Sequence, residues 1–303
     1  MQLPSKTLLK SLDPQARALY VLGALANEYP ISKRLNGYFH RFFTDYWITA
    51  AAEREFIGEH NLPRDRAVLM VCNHRTFFDY YLVASRMMKT WSPAPKIYFP
   101  VRSKFFYEKP LGGVVNATMS GYSMYPPIYR KDSKGLDAES RKALNRYAVG
   151  RCVEILNGDQ PAIIGFHPEG RRNESEDPYD LLPPKPGAGE IAHRARAAVV
   201  PVFIANVDSS FTEQVKKRFK PNAGPVRIRF GEPLDLDDLY DQHVDDHLTK
   251  SPVFDAILDE MMLGIRTLAE ADRAEYAPDH PPLDLSRPER EDTPPEADTA
   301  ENP

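Results

Sequence analysis

Asn73 and His74 close an apolar run, AVLMVC at 67–72, and Asp79 follows within the stretch VCNHRTFFDYY. An imidazole and a carboxylate can together form a general base, provided that they touch. On one continuous helix, residues five apart point about 140° away from each other, so the pair cannot meet there. They meet if His74 lies in the turn leaving a strand and Asp79 lies in the first turns of the next helix. A carboxylate that accepts from one imidazole nitrogen fixes the tautomer and frees the other nitrogen to take a proton. Such a base is poised near neutral pH. A Ser or Cys nucleophile beside it would make a triad, but Cys72 is expected inside the strand. A His–Asp pair acting directly on a substrate hydroxyl is the simpler reading. A structural histidine is the alternative that the spacing alone leaves open.

A second group follows another apolar stretch, PAII at 161–164, in GFHPEGRRNES at 165–175. Pro168 and Gly170 suit a tight turn that projects Glu169, with Arg171 and Arg172 beside it. Guanidinium groups in such a turn can fork onto a phosphate. PPIYRKDSKG (126–135) adds Arg130 and Lys131, and LLPPKPGAGEIAHRA adds Lys185 ahead of Gly187 and a helix. Any one of these cations reads as a surface charge. Their placement after successive strand candidates favours a shared pocket for an anion.

The elements that must position these groups alternate. Strand candidates lie at 67–72, 96–101, 161–166, 199–204 and 226–230, with helical stretches between them. The clearest helix runs from Asp137 to Asn157, with Asp137 as N-cap and Gly158 beyond its end. This order predicts an α/β domain with a largely parallel sheet flanked by helices, its reactive groups beyond the carboxyl ends of the strands. Ahead of it, Asp13-Pro14 opens a helix to about Asn27, and a second helix is expected from Ile31 to about Phe56. Ile31, Leu35, Phe39, Phe42 and Tyr46 share a narrow arc of that second helix, with Lys33, Arg34, His40 and Arg41 opposite. The arc either packs on the domain or lies in a membrane interface. The expected organisation is therefore an N-terminal helical membrane-association region at 1–60 and a main domain at 61–275. A disordered acidic tail at 276–303, with seven prolines, completes it.

Bulk composition narrows the class. A hydrophobic content of 42% and a charged content of 27% are those of a globular protein able to bury a sizeable core. No uncharged apolar run reaches the length of a membrane span, and the opening MQLPSKTLLKSLDP lacks the features of a signal peptide. Two cysteines, Cys72 and Cys152, have no metal-like spacing and form no disulfide framework, which points to the cytoplasm. The net charge of −4 hides an asymmetry: residues 231–303 hold 21 acidic and 5 basic side chains, which leaves residues 1–230 at +12. A basic body suits an anionic partner such as a phosphate ester, an acyl carrier or a lipid headgroup, and it is equally balanced by its own acidic tail. The aromatics do not interleave with the bases in any nucleic-acid motif, so no nucleic-acid partner is expected.

The ordered motifs N-H-x4-D, an Arg-ended block, P-E-G-x-R and V-P-V resemble those of the glycerolipid acyltransferases, including 1-acylglycerol-3-phosphate and glycerol-3-phosphate acyltransferases. The resemblance covers roughly residues 66–233 and includes SKFFYEKPLGG at 103–113. It implies that His74 is the general base for the acceptor hydroxyl and that Asp79 orients it. It further implies that Arg130 and Arg172 bind the acceptor phosphate, that Glu169 and Gly170 position the acceptor, and that Pro201 lies on the acyl-donor side. Lys185 joins the substrate-binding group. Acyl-CoA or acyl carrier protein would serve as co-substrate, with no cofactor and no metal. Peripheral attachment to the inner face of the cell membrane through the N-terminal helices is expected. The sequence departs from the pattern where Pro126-Pro127 replace an apolar pair, where His167 stands in place of the commonest Phe, and where Arg171 replaces Thr or Ser. Two readings from other classes stay open: a metal-assisted hydrolase built on His74, Asp79, His167 and Glu169, and a non-catalytic lipid-binding protein.

Overall fold

The computed structural model describes residues 3–29, 37–38, 42, 44–91, 96–245 and 247–286. Its centre is the run Val68–Cys72 (β2), buried at all five positions. Val68, Met70 and Cys72 enter one hydrophobic cluster and Leu69 and Val71 the other, as strand alternation requires. Both faces are covered, which is why the run reads as continuously apolar rather than alternating.

The main sheet holds β1 (Arg54–Ile57), β2, β3 (Lys96–Tyr98), β6 (Ala162–Phe166), β7 (Ala198–Ala205) and β8 (Val226–Phe230) in the order β1-β8-β7-β2-β6-β3. All its pairings are parallel except β7 with β8. Val101–Arg102 (β4) and Pro127–Ile128 (β5) form a separate parallel pair. Of the described helices, α1 (Lys6–Lys10) and α2 (Pro14–Glu28) precede the sheet, and α3 (Asp45–Ala51) leads into β1. Then follow α4 (Asp79–Thr90), α5 (Ser103–Phe106), α6 (Pro110–Thr118), α7 (Ala138–Leu156), α8 (Ala188–Ala195), α9 (Phe211–Arg218), α10 (Asp237–Tyr240) and α11 (Pro252–Tyr276). Side-chain caps set several starts: Asp13 accepts from Gln15 and Ala16 N–H, and Asp137 from Ser140 N–H.

Three expectations need correcting. The helix expected over 31–56 does not reach Phe56. Its described part ends at Ala51, and Arg54–Ile57 form β1 on the parallel edge of β8. The boundary at residue 60 therefore cuts through the main sheet. Ile31, Leu35 and Phe39 lie outside the described residues, whereas Phe42 and Tyr46, from the same arc, are exposed at 69% and 67%. The tail does not begin at 276. Residues up to Ser286 pack on α11, where Arg266 donates to Ser286 O at 2.9 Å and Glu270 accepts from Leu283 N–H at 3.0 Å. Residues 287–303 lie outside the described residues.

An ion cluster pins α11 to β8. Asp272, with no exposed surface, accepts from Arg227 Nε and Nη2, both at 2.8 Å, from Arg229 Nε at 3.1 Å and from the Tyr179 hydroxyl at 3.2 Å. Removing one member of a buried ion cluster leaves uncompensated charge in a poorly solvated place. Asp272→Ala is expected to lower the unfolding free energy by about 3–5 kcal/mol. Urea unfolding reads this directly, and a loss below about 1 kcal/mol would class the cluster with exposed pairs.

Candidate active site

Because β2, β6 and β7 run parallel, their carboxyl ends open on one edge of the sheet, and the sequence after each contributes to one site. At the end of β2, the Asn73 carboxamide takes over the ladder. It donates to Ile204 O at 3.0 Å and accepts from Ile204 N–H at 2.8 Å, replacing one rung between β2 and β7. His74 thus leaves the sheet at a fixed point.

The His74 ring and Asp79 meet as the spacing required. Asp79 is the first residue of α4, and its Oδ2 lies 2.9 Å from His74 Nδ1. The same oxygen accepts from Arg75 N–H at 2.9 Å and Thr76 N–H at 3.1 Å. An acceptor oxygen facing Nδ1 places the proton there and leaves Nε2 unprotonated, free to accept a proton. Asp79 is 1% exposed and stands at the N-terminus of α4. Cys72 is no rival nucleophile: burial first, and then the nearby Asp79 and Glu169, push its thiol well above the ordinary value.

Glu169 has a different place from the one expected. It has no exposed surface, its Oε1 accepts from His74 N–H at 2.6 Å, and its Oε2 accepts from Leu182 N–H at 2.8 Å. It holds His74 from behind rather than facing an acceptor. The His74 carbonyl is tied to the same loop by Asn173 N–H at 2.7 Å. Sequence reasoning noted Asn73 at the end of the strand without assigning it a role, although a carboxamide directly after a buried strand was a signal, and it missed Asn173.

Three of the expected cationic and turn residues come together. Gly170 has φ +65°, the left-handed region that favours glycine. Its carbonyl accepts from Arg130 Nη2, and a Cβ built on it would lie 3.0 Å from Lys185 Cγ. Burial, followed by the fields of Arg102 and Arg171, lowers the Arg130 proton affinity despite Asp132. This is a crowded set of cations that an anion would relieve. Arg172 is turned elsewhere: it donates to Ser209 O at 3.1 Å, pairs with Glu174 and lies over the Phe77 ring at 4.4 Å. Pro201 is buried in β7 against Gly231 and Gly264, a packing position within the sheet–α11 contact.

His167 stacks on His74, with ring centroids 4.0 Å apart and planes within 9°. His74, Asp79 and His167 each offer a ligand atom within 4.8 Å of the others, so this trio could gather round a cation. Glu169, the fourth residue of the metal-hydrolase reading, has both oxygens committed to backbone N–H groups.

A family model for acyltransferases matches residues 53–205, just over half of the chain. The chain belongs to the acyltransferase family. Its activity class is therefore acyl transfer, and the His–Asp pair falls inside the matched segment. None of the curated proteins is detectably similar in sequence. Among solved structures, the crystal structure of the 1-acyl-sn-glycerophosphate (LPA) acyltransferase from Thermotoga maritima is similar at 15% identity and a TM-score of 0.46. That similarity covers 89% of this chain and 97% of the other. No helix among the described residues is long and apolar enough to cross a membrane.

Burial is the main cause that raises the Glu169 carboxyl from the ordinary 4.5 to about 7, opposed by its two backbone N–H donors. Between those values the native chain keeps a proton that the unfolded chain releases. This contribution to stability is therefore complete below pH 4.5 and lost as pH rises through about 7. Glu169→Gln removes the titration. Across that window its unfolding free energy should fall less than that of the wild type, by about 3 kcal/mol. Urea unfolding at several pH values tests this, and parallel curves for the two proteins would contradict it.

Proposed function

We propose that this acyltransferase moves a fatty acyl group from a thioester to a hydroxyl of a glycerol phosphate. The acceptor would be 1-acylglycerol-3-phosphate or glycerol-3-phosphate, and the donor acyl-CoA or acyl carrier protein. The observation that carries the reading is the 2.9 Å contact between His74 Nδ1 and an Asp79 oxygen that two backbone N–H groups also hold. With Nδ1 fixed as donor, Nε2 takes the proton of the acceptor hydroxyl as its oxygen attacks the thioester carbonyl. The tetrahedral oxyanion collapses, the C–S bond breaks, and the departing sulfur receives the proton from His74. Arg130, Lys185 and the neighbouring Arg171 are assigned to the acceptor phosphate, since they crowd one turn beside the base. Arg172 shapes the rim through Phe77 and the loop at Ser209.

The acyl chain of donor or acceptor partitions into lipid, so the enzyme need only reach the interface. Phe42, Tyr46 and Trp47 are exposed near α3, and Leu111 and Val114 on α6. Thr44 donates to Met119 O at 2.7 Å, which joins the two areas. This apolar area on a basic body supports peripheral binding to an anionic membrane, with the inner face of the cell membrane as the proposed place. The chain should pellet with anionic liposomes at low salt, and the double variant Tyr46→Ser/Trp47→Ser should leave a larger share in the supernatant. Protein that stays in solution at every lipid and salt concentration would count against attachment.

For the chemistry, thiol release from palmitoyl-CoA should depend on an added acceptor. His74→Ala should slow it by about 10²–10⁴-fold, the usual contribution of a general base. Release without acceptor would indicate a thioesterase, and activity abolished by chelator would favour the metal-assisted reading. Unchanged turnover in His74→Ala would remove His74 from the mechanism.

A further inference from the structure

His167 is held in one orientation and one tautomer by the groups around it. Its Nδ1 lies 3.0 Å from the Cys72 carbonyl oxygen, which can only accept, so Nδ1 carries the proton. Cys72 Sγ, at 3.4 Å, contacts the same nitrogen. Desolvation, and secondarily the proximity of His74, hold the His167 ring well below the ordinary histidine pKa, so it stays neutral. A neutral imidazole protonated at Nδ1 presents an unprotonated Nε2, which is a hydrogen-bond acceptor. Phe99 closes the other side of the ring at 4.9 Å, and Phe99 can lie there because position 165 is glycine. A Cβ built on Gly165 would fall 2.1 Å from the Phe99 ring. The ring is thus wedged between Phe99 and the catalytic base.

A phenyl ring would fill the same stack without a polar atom to desolvate. An imidazole there costs more to bury, and the cost is offset only if its second nitrogen finds a donor. His167 is stacked 4.0 Å from the ring of His74 that takes the hydroxyl proton in the acyl-transfer reading. An acceptor with a glycerol backbone can carry a second hydroxyl on the carbon next to the reacting one. The donor that such an acceptor brings to His167 is its second hydroxyl.

We propose that His167 is a specificity-determining residue, whose Nε2 accepts a hydrogen bond from a hydroxyl of the acceptor other than the one acylated. It thereby selects acceptors with two adjacent free hydroxyls over those with one. The inference rests on the acyl-transfer reading and narrows it to the unacylated glycerol phosphate as preferred acceptor.

The test compares sn-glycerol 3-phosphate with 3-hydroxypropyl phosphate, which lacks only the middle hydroxyl, and with 1-acylglycerol-3-phosphate, which has one free hydroxyl. The full-length wild type should favour glycerol 3-phosphate over the deoxy acceptor by about 10-fold or more in kcat/KM, the value of one buried hydrogen bond. His167→Phe should bring that ratio close to one. A wild type that does not discriminate, a preference for 1-acylglycerol-3-phosphate, or a variant that slows both acceptors equally would each overturn the assignment while leaving acyl transfer intact. ¹⁵N spectra of the histidine rings supply a readout independent of turnover. The His167 Nε2 resonance should be that of an unprotonated nitrogen, shifted by glycerol 3-phosphate and not by its deoxy analogue. A protonated Nε2 in the free protein would refute the inference. Absence of transfer to any acceptor would instead refute the function on which it rests.

Discussion

The buried carboxylate of Glu169 joins three segments that the sequence keeps far apart. One oxygen holds the backbone of His74 and the other the backbone of Leu182, while the residue itself sits in the turn after β6. Only a carboxylate offers an acceptor at both ends, and an amide would turn a donor toward one of the two N–H groups. The His74 ring is then fixed by a second, independent carboxylate, Asp79, at the start of the next helix. One acid sets where the His74 main chain stands and the other sets which nitrogen of its ring is free. Both carboxyl groups are held by backbone N–H groups, Asp79 by those of Arg75 and Thr76 and Glu169 by those of His74 and Leu182.

The cations divide accordingly. Arg227 and Arg229 are consumed by Asp272 and tie the long C-terminal helix to the edge of the sheet, away from the chemistry. Arg130 and Lys185 gather at the Gly170 turn, where the left-handed backbone lets the carbonyl face Arg130. The basic residues of the body thus fall into separate groups, and the acidic residues beyond 231 set the balance only in sum. Exposed aromatic and aliphatic side chains lie near α3 and α6.

Much of the fold could be read from periodicity. The five strand candidates are present, with β2, β6 and β8 within a residue of their expected limits and β3 shorter. Asp13 and Asp137 mark helix starts because their carboxylates accept from the first free N–H groups, a local effect visible in the sequence. The failures are those of non-local pairing. Arg54–Ile57 carry two charged residues and continue a helical pattern, yet they form a strand because β8 presents an open edge to them. Residues 277–286 have a disordered composition, yet Glu270 and Arg266 of α11 satisfy their backbone.

The sequence by itself determined the reagents: a histidine and an aspartate at a spacing that works only across a strand–helix turn, and a glycine where the backbone must reverse. Chain-local geometry decides such features, so residue type and spacing suffice to find them. The direction of each side chain was decided only by the tertiary structure. Nothing in PEGRR tells whether Glu169 or Arg172 faces the acceptor, because a turn presents its side chains according to what packs against it. Leu182 N–H captures Glu169 inward, Ser209 and Phe77 draw Arg172 to the rim, and the carbonyl of Cys72 selects the tautomer of His167. Each of those partners lies at least a dozen residues away in the chain and within a hydrogen bond or a ring contact in space, and packing alone brings them together.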